Sequence, residues 1–118
     1  MRVMRIAKTG RTASADRIFV GSVEMQTVVD VGERDLRLVE VHFKDGARNR
    51  WHTHTTDQIL VVTEGAGIVA TRGEEREVAT GDVAYIPANE EHWHGARPGK
   101  DMTHLAINGG ASKTTITE

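Results

Sequence analysis

Five of the chain's six histidines fall between residues 52 and 104, as two His-x-His pairs and a single residue: His52 and His54, His92 and His94, and His104. Residues two apart on an extended strand project to the same face, so each pair presents two imidazoles together. His104 shares its face with Met102, Ala106 and Asn108. On neighbouring strands of a closed sheet these side chains can meet at one interior point, where neutral imidazoles are the commonest protein ligands for divalent metals. The chain has no cysteine, so disulfides, thiolate ligation and a thiol nucleophile are excluded and any metal must be held by nitrogen and oxygen. His42 alternates away from Val41 and Phe43 and is read as a solvated or packing residue. Trp93 points away from the His92 and His94 face, out of the barrel, where a partner contact would best hide it; this predicts a homodimer. The rival reading folds the amino-terminal segment over Trp93 within one chain.

The elements that must position these residues are short strands punctuated by glycine. Twelve glycines stand against two prolines, and no segment offers an apolar helix face of three turns. Arg37 to Phe43 alternates, with Val39, Val41 and Phe43 on one face, and ends at the turn Lys44-Asp45-Gly46. Gln58 to Thr63 reads as a buried strand stopping at Glu64-Gly65, and Gly67 to Thr71 as a separate one. Arg76 to Ala79, Val83 to Ile86, His92 to Ala96 and Met102 to Asn108 follow, each set off by a turn, and every unit is under ten residues. The economical architecture is an all-β sandwich or small barrel.

The 118 residues suit one domain. A net charge of −2, with 38% hydrophobic and 27% charged residues, gives no general attraction to nucleic acid or to an anionic membrane, so neither is expected as a partner; a small-molecule substrate is. There is no apolar run long enough to span a bilayer, and the start MRVMRIAKTGRTAS lacks the apolar stretch of a secretory signal; a cytoplasmic protein is expected. The basic start, with no acidic residue before Asp16, is read as a leading strand or arm.

Spacing then carries a family resemblance. Gly46, five residues, His52-Thr53-His54, three residues, Gln58, six residues, Gly65 resembles the first cupin motif. Gly81, five residues, Pro87, then Asn89 and His92, resembles the second. Three positions depart from the family pattern: Gln58 stands where a carboxylate ligand is usual, Asn89 replaces a glycine and Ala96 replaces an asparagine. Asparagine tolerates a left-handed turn better than most residues, so Asn89 is the mildest departure. The resemblance implies a single-domain cupin β-barrel, a jelly roll or double-stranded β-helix. Residues 1–36 would be an arm and leading strands, 37–108 the barrel with both motifs, and 109–118 a flexible tail.

Residue by residue, the resemblance places one divalent metal among His52, His54, Gln58 and His92, with manganese or iron expected and nickel or zinc readily acquired on purification. Common parity of His52, His54 and Gln58 along an unbroken strand would turn all three inward. The runs Trp51-His52-Thr53-His54, His92-Trp93-His94-Gly95-Ala96 and Met102-Thr103-His104-Leu105-Ala106-Ile107 resemble the small bacterial cupins that include manganese-dependent hydroxynitrile lyases. That likeness implies Lewis-acid chemistry on a cyanohydrin or carbonyl oxygen, with His94 or His104 moving the proton. Val39, Val41 and Phe43 would form an apolar wall, or plain barrel core, and Asn108 would close the mouth. A neutral amide at Gln58 leaves the metal its full charge and favours polar over redox chemistry; Gln58 could instead only hydrogen-bond a ligand histidine. Two other functions stay open: an iron dioxygenase acting on a β-diketone or enediol-like substrate, and a non-catalytic barrel that binds a small metabolite.

Overall fold

The computed structural model describes residues 1–118 and contains twelve strands and one 3-10 turn, Lys8–Gly10. In chain order the strands are β1 (Thr12–Ala13), β2 (Phe19–Val20), β3 (Val23–Asp30), β4 (Leu36–Phe43), β5 (Arg48–Asn49) and β6 (His52–His54). They continue as β7 (Gln58–Thr71), β8 (Glu75–Ala79), β9 (Val83–Ile86), β10 (His92–Ala96), β11 (Met102–Gly109) and β12 (Thr114–Ile116). All pairings are antiparallel, and the order β1-β3-β4-β11-β7-β10-β5-β2 curls into the expected all-β barrel. No helix is long and apolar enough to cross a membrane.

The expectation that every strand is under ten residues fails at β7, which runs 14 residues without a break. Its first part pairs with β11 and β9, its second with β10 and β8, so one strand turns the corner between the two layers. Gly65, at φ 81, makes the bend, and the register with β11 shifts between Thr103 and His104. A side chain at position 65 would strike the backbone of Asp101. Glycine here was read as a stop, but a glycine inside a strand equally marks a bend or close approach.

The inner faces carry the core: Val39, Val41, Phe43, Val62, Ala96 and Met102 pack with Val23 and Ala47, and Phe19 lies against them. On the outer face of β4, Glu40 is buried beneath the amino-terminal arm. Arg11 Nε donates to its carboxylate at 2.8 Å and Gln26 Nε2 at 2.8 Å. Burial works against that charge, but the two hydrogen bonds hold the Glu40 pKa below its ordinary value. The arm is thereby fastened down, and the chain following it brings Ile18 and Phe19 to the inner cavity.

Two expectations are corrected. Trp93 is off the histidine face but not exposed: its relative accessibility is 8% within a single chain, and the Arg48 guanidinium stacks 4.8 Å from its ring. The argument for a homodimer from a bare tryptophan therefore lapses, and Arg48 on β5 supplies part of this cover. The segment after Gly109, read as a flexible tail, returns as β12 and pairs with β6, setting Thr114 opposite His54 and Ile116 opposite His52. Polar composition concealed it, because a two-sided polar edge strand has no hydrophobic alternation to betray it.

Gly95 lets β5 lie close to β10: a Cβ there would overlap Arg48 and the Ala47 carbonyl, both set by the chain's own backbone. Gly95→Ala should lower stability by about 1–3 kcal/mol, the usual range for overpacking. Urea denaturation would show this as a lower midpoint at unchanged slope, and an unchanged midpoint would mean that the close approach costs nothing to disturb.

Candidate metal centre

His52 and His92 are direct cross-strand partners on β6 and β10, and their ring centroids are 4.2 Å apart. His54, two residues further along β6, brings its ring centroid within 5.4 Å of His92. One nitrogen from each of the three rings lies within 4.8 Å of the others, a spacing suited to a common ion. The chain is not extended from His54 to Gln58, since residues 55–57 leave the strand. Parity is therefore not what turns Gln58 inward; the loop after β6 restarts the chain as β7 with Gln58 facing the same centre. Asn89, at φ 68, adopts the left-handed turn that its replacement of glycine required, and it donates its backbone N–H to His54 O at 2.8 Å.

Hydrogen bonds fix which ring nitrogen each histidine offers. His52 Nδ1 donates to Arg50 O at 2.6 Å, and His92 Nδ1 donates to Glu90 O at 2.8 Å. His54 Nδ1 meets Thr114 Oγ1 on β12 at 2.9 Å. The carbonyl partners make Nδ1 of His52 and His92 a donor and leave Nε2 as the lone-pair atom, the arrangement that outer partners impose on metal-ligating histidines, while the Thr114 hydroxyl occupies Nδ1 of His54 and leaves its Nε2 toward the centre. His54 Nε2 is buried with no hydrogen-bond partner. Gln58 Nε2 donates to Asn108 Oδ1 at 3.0 Å, so Gln58 Oε1 turns inward and stands 3.1 Å from His92 Nε2. Two lone pairs at that separation repel unless a positive centre stands against both. Three Nε2 atoms and one amide oxygen, one of them orphaned and two opposed, fit a divalent cation of the first transition row.

Burial keeps the imidazoles neutral. It pushes His52 down to about 3, with neighbouring His92 adding to the effect, and His54 down to about 4, with His92 and Arg37 adding. His92 is likewise lowered by burial, against the pull of its hydrogen bond to Glu90.

A cavity of about 300 Å³ opens beside the centre. Val39, Val41 and Phe43 form part of its wall, with Asn108 also lining it, and Asp16 and Arg37 are its only charged residues. Phe19, Met25 and Ile116 add to the apolar side; Met25 and Ile116 were not singled out in the sequence, because each lies on a strand too short or too mixed to show a face. His94 and His104 also line this cavity and are joined, Nδ1 of His94 to Nε2 of His104, at 2.9 Å. Both are neutral: burial lowers His94 well below its ordinary value, and lowers His104 to about 4. Asn49, also unanticipated, is 3% exposed and contacts His94. His42 lies on the opposite face of β4, bound to Thr103 Oγ1 at 2.7 Å, as its alternation suggested.

Residues 39–108 match the family described as Cupin domain, and the chain belongs to it. The chain is 40% identical over 110 residues to an (R)-mandelonitrile lyase of Granulicella tundricola, a match spanning 88% of this chain and 83% of that protein. It is 35% identical over 81 residues to the dimethylsulfoniopropionate lyase DddW of Ruegeria pomeroyi, over 66% of this chain and about half, 53%, of that one. Among solved structures, a cupin-like protein of Thermotoga maritima superposes with a TM-score of 0.84 at 33% identity, covering 90% of this chain and 84% of its own.

Buried neutral histidines make stability pH-dependent. In the unfolded chain they take up protons near pH 6.5, whereas His52, His54 and His104 resist protonation in the fold until about 3 to 4. The unfolded state therefore binds more protons throughout that interval, and metal-free protein should lose stability progressively as pH falls from about 6.5 toward 4. Urea midpoints measured at steps between pH 7.5 and 4.5 test this; a flat profile would show the imidazoles already charged in the fold.

Proposed function

We propose that this cupin is a metal-dependent lyase that cleaves and reforms cyanohydrins, or closely related hydroxy and carbonyl compounds, without oxidation. The observation that carries the reading is the pairing of an all-neutral ligand set, His52, His54, His92 and Gln58, with a second neutral pair, His94 and His104, on the same apolar-walled cavity. Kinship to an (R)-mandelonitrile lyase supports it. The cation these residues would hold is manganese or iron; when bound, it supplies Lewis acidity toward a substrate oxygen.

The chain's own residues do the rest. Gln58, being neutral, leaves that acidity undiminished where a carboxylate would offset part of the charge. Asn108 keeps the amide oxygen of Gln58 pointed inward, and its own Nδ2 is buried without a partner, a donor available to a polar group of the substrate. Val39, Val41 and Phe43 receive the hydrocarbon part of the substrate and keep water from it. The His94–His104 pair takes the hydroxyl proton as the carbon–carbon bond to cyanide breaks, leaving the aldehyde. The same proton returns to cyanide, so neither oxidant nor reductant is consumed.

Purified protein with its metal quantified should convert benzaldehyde and cyanide to mandelonitrile, with one enantiomer in excess, under strict anaerobiosis and not after chelation. Oxygen uptake on β-diketones with no cyanohydrin formed would favour the dioxygenase reading instead, and inactivity in both assays at full metal occupancy would favour a binding protein. His52→Ala combined with His92→Ala should abolish metal uptake in elemental analysis. Gln58→Glu should keep the metal and lower turnover, and equal or better turnover at equal occupancy would remove the argument from the neutral amide. His94→Ala and His104→Ala should each retain metal, and at least one should lose about two orders of magnitude in turnover.

A further inference from the structure

One cross-strand row of side chains leads from the candidate metal centre to the mouth of the cavity. Gln58 on β7 stands opposite Asn108 on β11, Asn108 opposite Arg37 on β4, and Arg37 opposite Asp30 on β3. Arg37 shares the parity of Val39, Val41 and Phe43, so it enters the same cavity, where it is the one lysine or arginine in the wall. The inner end of the row is committed: Gln58 Nε2 donates to Asn108 Oδ1 at 3.0 Å, leaving Gln58 Oε1 to the centre. The outer end is not. Asn108 Nδ2 is buried without a partner, and the Asp30 carboxylate stands 3.6 Å from Arg37 Nε, beyond hydrogen-bond length. The side chains of Arg37 and Asp30 are 43% and 53% exposed, so water screens their attraction and the pair holds the guanidinium loosely. Asp16, the cavity's one acid, accepts the backbone N–H of Ile18 on Oδ1 at 2.9 Å.

Resting on the lyase reading above, we propose that the substrate carries a carboxylate, received at the mouth by Arg37 and Asn108 Nδ2 while its hydroxyl or carbonyl oxygen meets the centre beside Gln58. A guanidinium and an amide N–H on adjacent strands present donors to a group with two acceptor oxygens, and only an anion also answers the arginine's charge. A neutral polar substituent would satisfy Asn108 alone. The backbones of Arg37 and Gln58 are two strand spacings apart, about 10 Å. The carboxylate therefore belongs at the far end of the hydrocarbon part, several bonds from the reacting carbon. Val39 follows Arg37 on the same face of β4 and packs against the hydrocarbon between the two polar ends. Arg37 is thus a specificity-determining residue: it chooses among substrates and moves no proton.

Two isosteres separate charge from shape. Calorimetry on the full chain loaded with zinc should show para-(hydroxymethyl)benzoate binding at least about tenfold more tightly than para-(hydroxymethyl)benzamide, the scale of a charge-assisted hydrogen bond. Arg37→Gln should remove that preference at wild-type metal content, and Arg37→Lys, which keeps the charge, should retain part of it. Equal affinities in the wild-type protein would overturn the proposal before any variant is made. A preference surviving undiminished in Arg37→Gln would also overturn it, because the carboxylate would then be held elsewhere, at the metal for example. In turnover with cyanide, para-carboxybenzaldehyde should show a KM at least about tenfold below that of para-carbamoylbenzaldehyde, and Arg37→Gln should bring the two together. Carboxylate-selective binding that depends on Arg37, in a protein that forms no cyanohydrin, would uphold the assignment and refute the lyase reading. Cyanohydrin formation with no preference for the carboxylate would refute the role of Arg37 and leave the lyase reading standing.

Discussion

The centre depends on the outward hydrogen bond made by each ligand-positioned imidazole. His52 and His92 each give Nδ1–H to the carbonyl two residues back, Arg50 and Glu90, and His54 is held by Thr114. A ring held at Nδ1 has one nitrogen left and one direction in which to aim it, so the three rings converge. The peripheral segments exist in their observed places partly to hold these bonds. β12 supplies the hydroxyl for His54, and the Thr117 N–H donated to Trp51 O at 2.9 Å fastens β12 beside the segment that carries His52.

What could be read from the sequence was what short-range geometry determines. His52 and His54 are two residues apart on one strand, as are His92 and His94, so their common faces follow from strand parity alone. Glycine and proline spacing then framed them as a cupin. What could not be read came from contacts between distant parts of the chain. Asn49 precedes His94 by 45 residues and meets it only because β5 lies on β10. Trp93 obeyed parity and still proved buried, because parity says which face a side chain takes and not what covers that face. Gln58 reached the expected place by a different route, through a loop and a new strand.

The two faces of β4 divide the work. Its inward residues, Val39, Val41 and Phe43, line the cavity, while between them Glu40 looks outward into a buried ion pair with Arg11. Breaking one partner of such a pair leaves an uncompensated buried charge, which costs far more than the pair contributes. The ion pair therefore acts as a latch of defined register. It fixes where the amino-terminal arm lies, and thereby where Ile18 and Phe19 enter the cavity wall, so an outer-face charge governs the shape of an apolar inner surface.

Neutrality of the inner cluster also limits what the His94–His104 pair can do with a proton. The His94 ring lies 5.8 Å from that of His52 and 5.6 Å from that of His92. A positive charge held among those rings would repel an imidazolium at His94, by about 3 kcal/mol per unit charge at about 6 Å and an effective dielectric of about 20. The wall offers little relief, since its two charged residues, Asp16 and Arg37, are of opposite sign. On the proposed lyase reading, a proton accepted by the pair would be held at high free energy and passed onward to the most basic group at hand, the group that has just departed. A carboxylate in place of Gln58 would weaken both effects together, blunting the pull on the substrate oxygen and letting the imidazolium persist. The neutral amide is thus consistent with chemistry in which the proton passes through the pair without residing there.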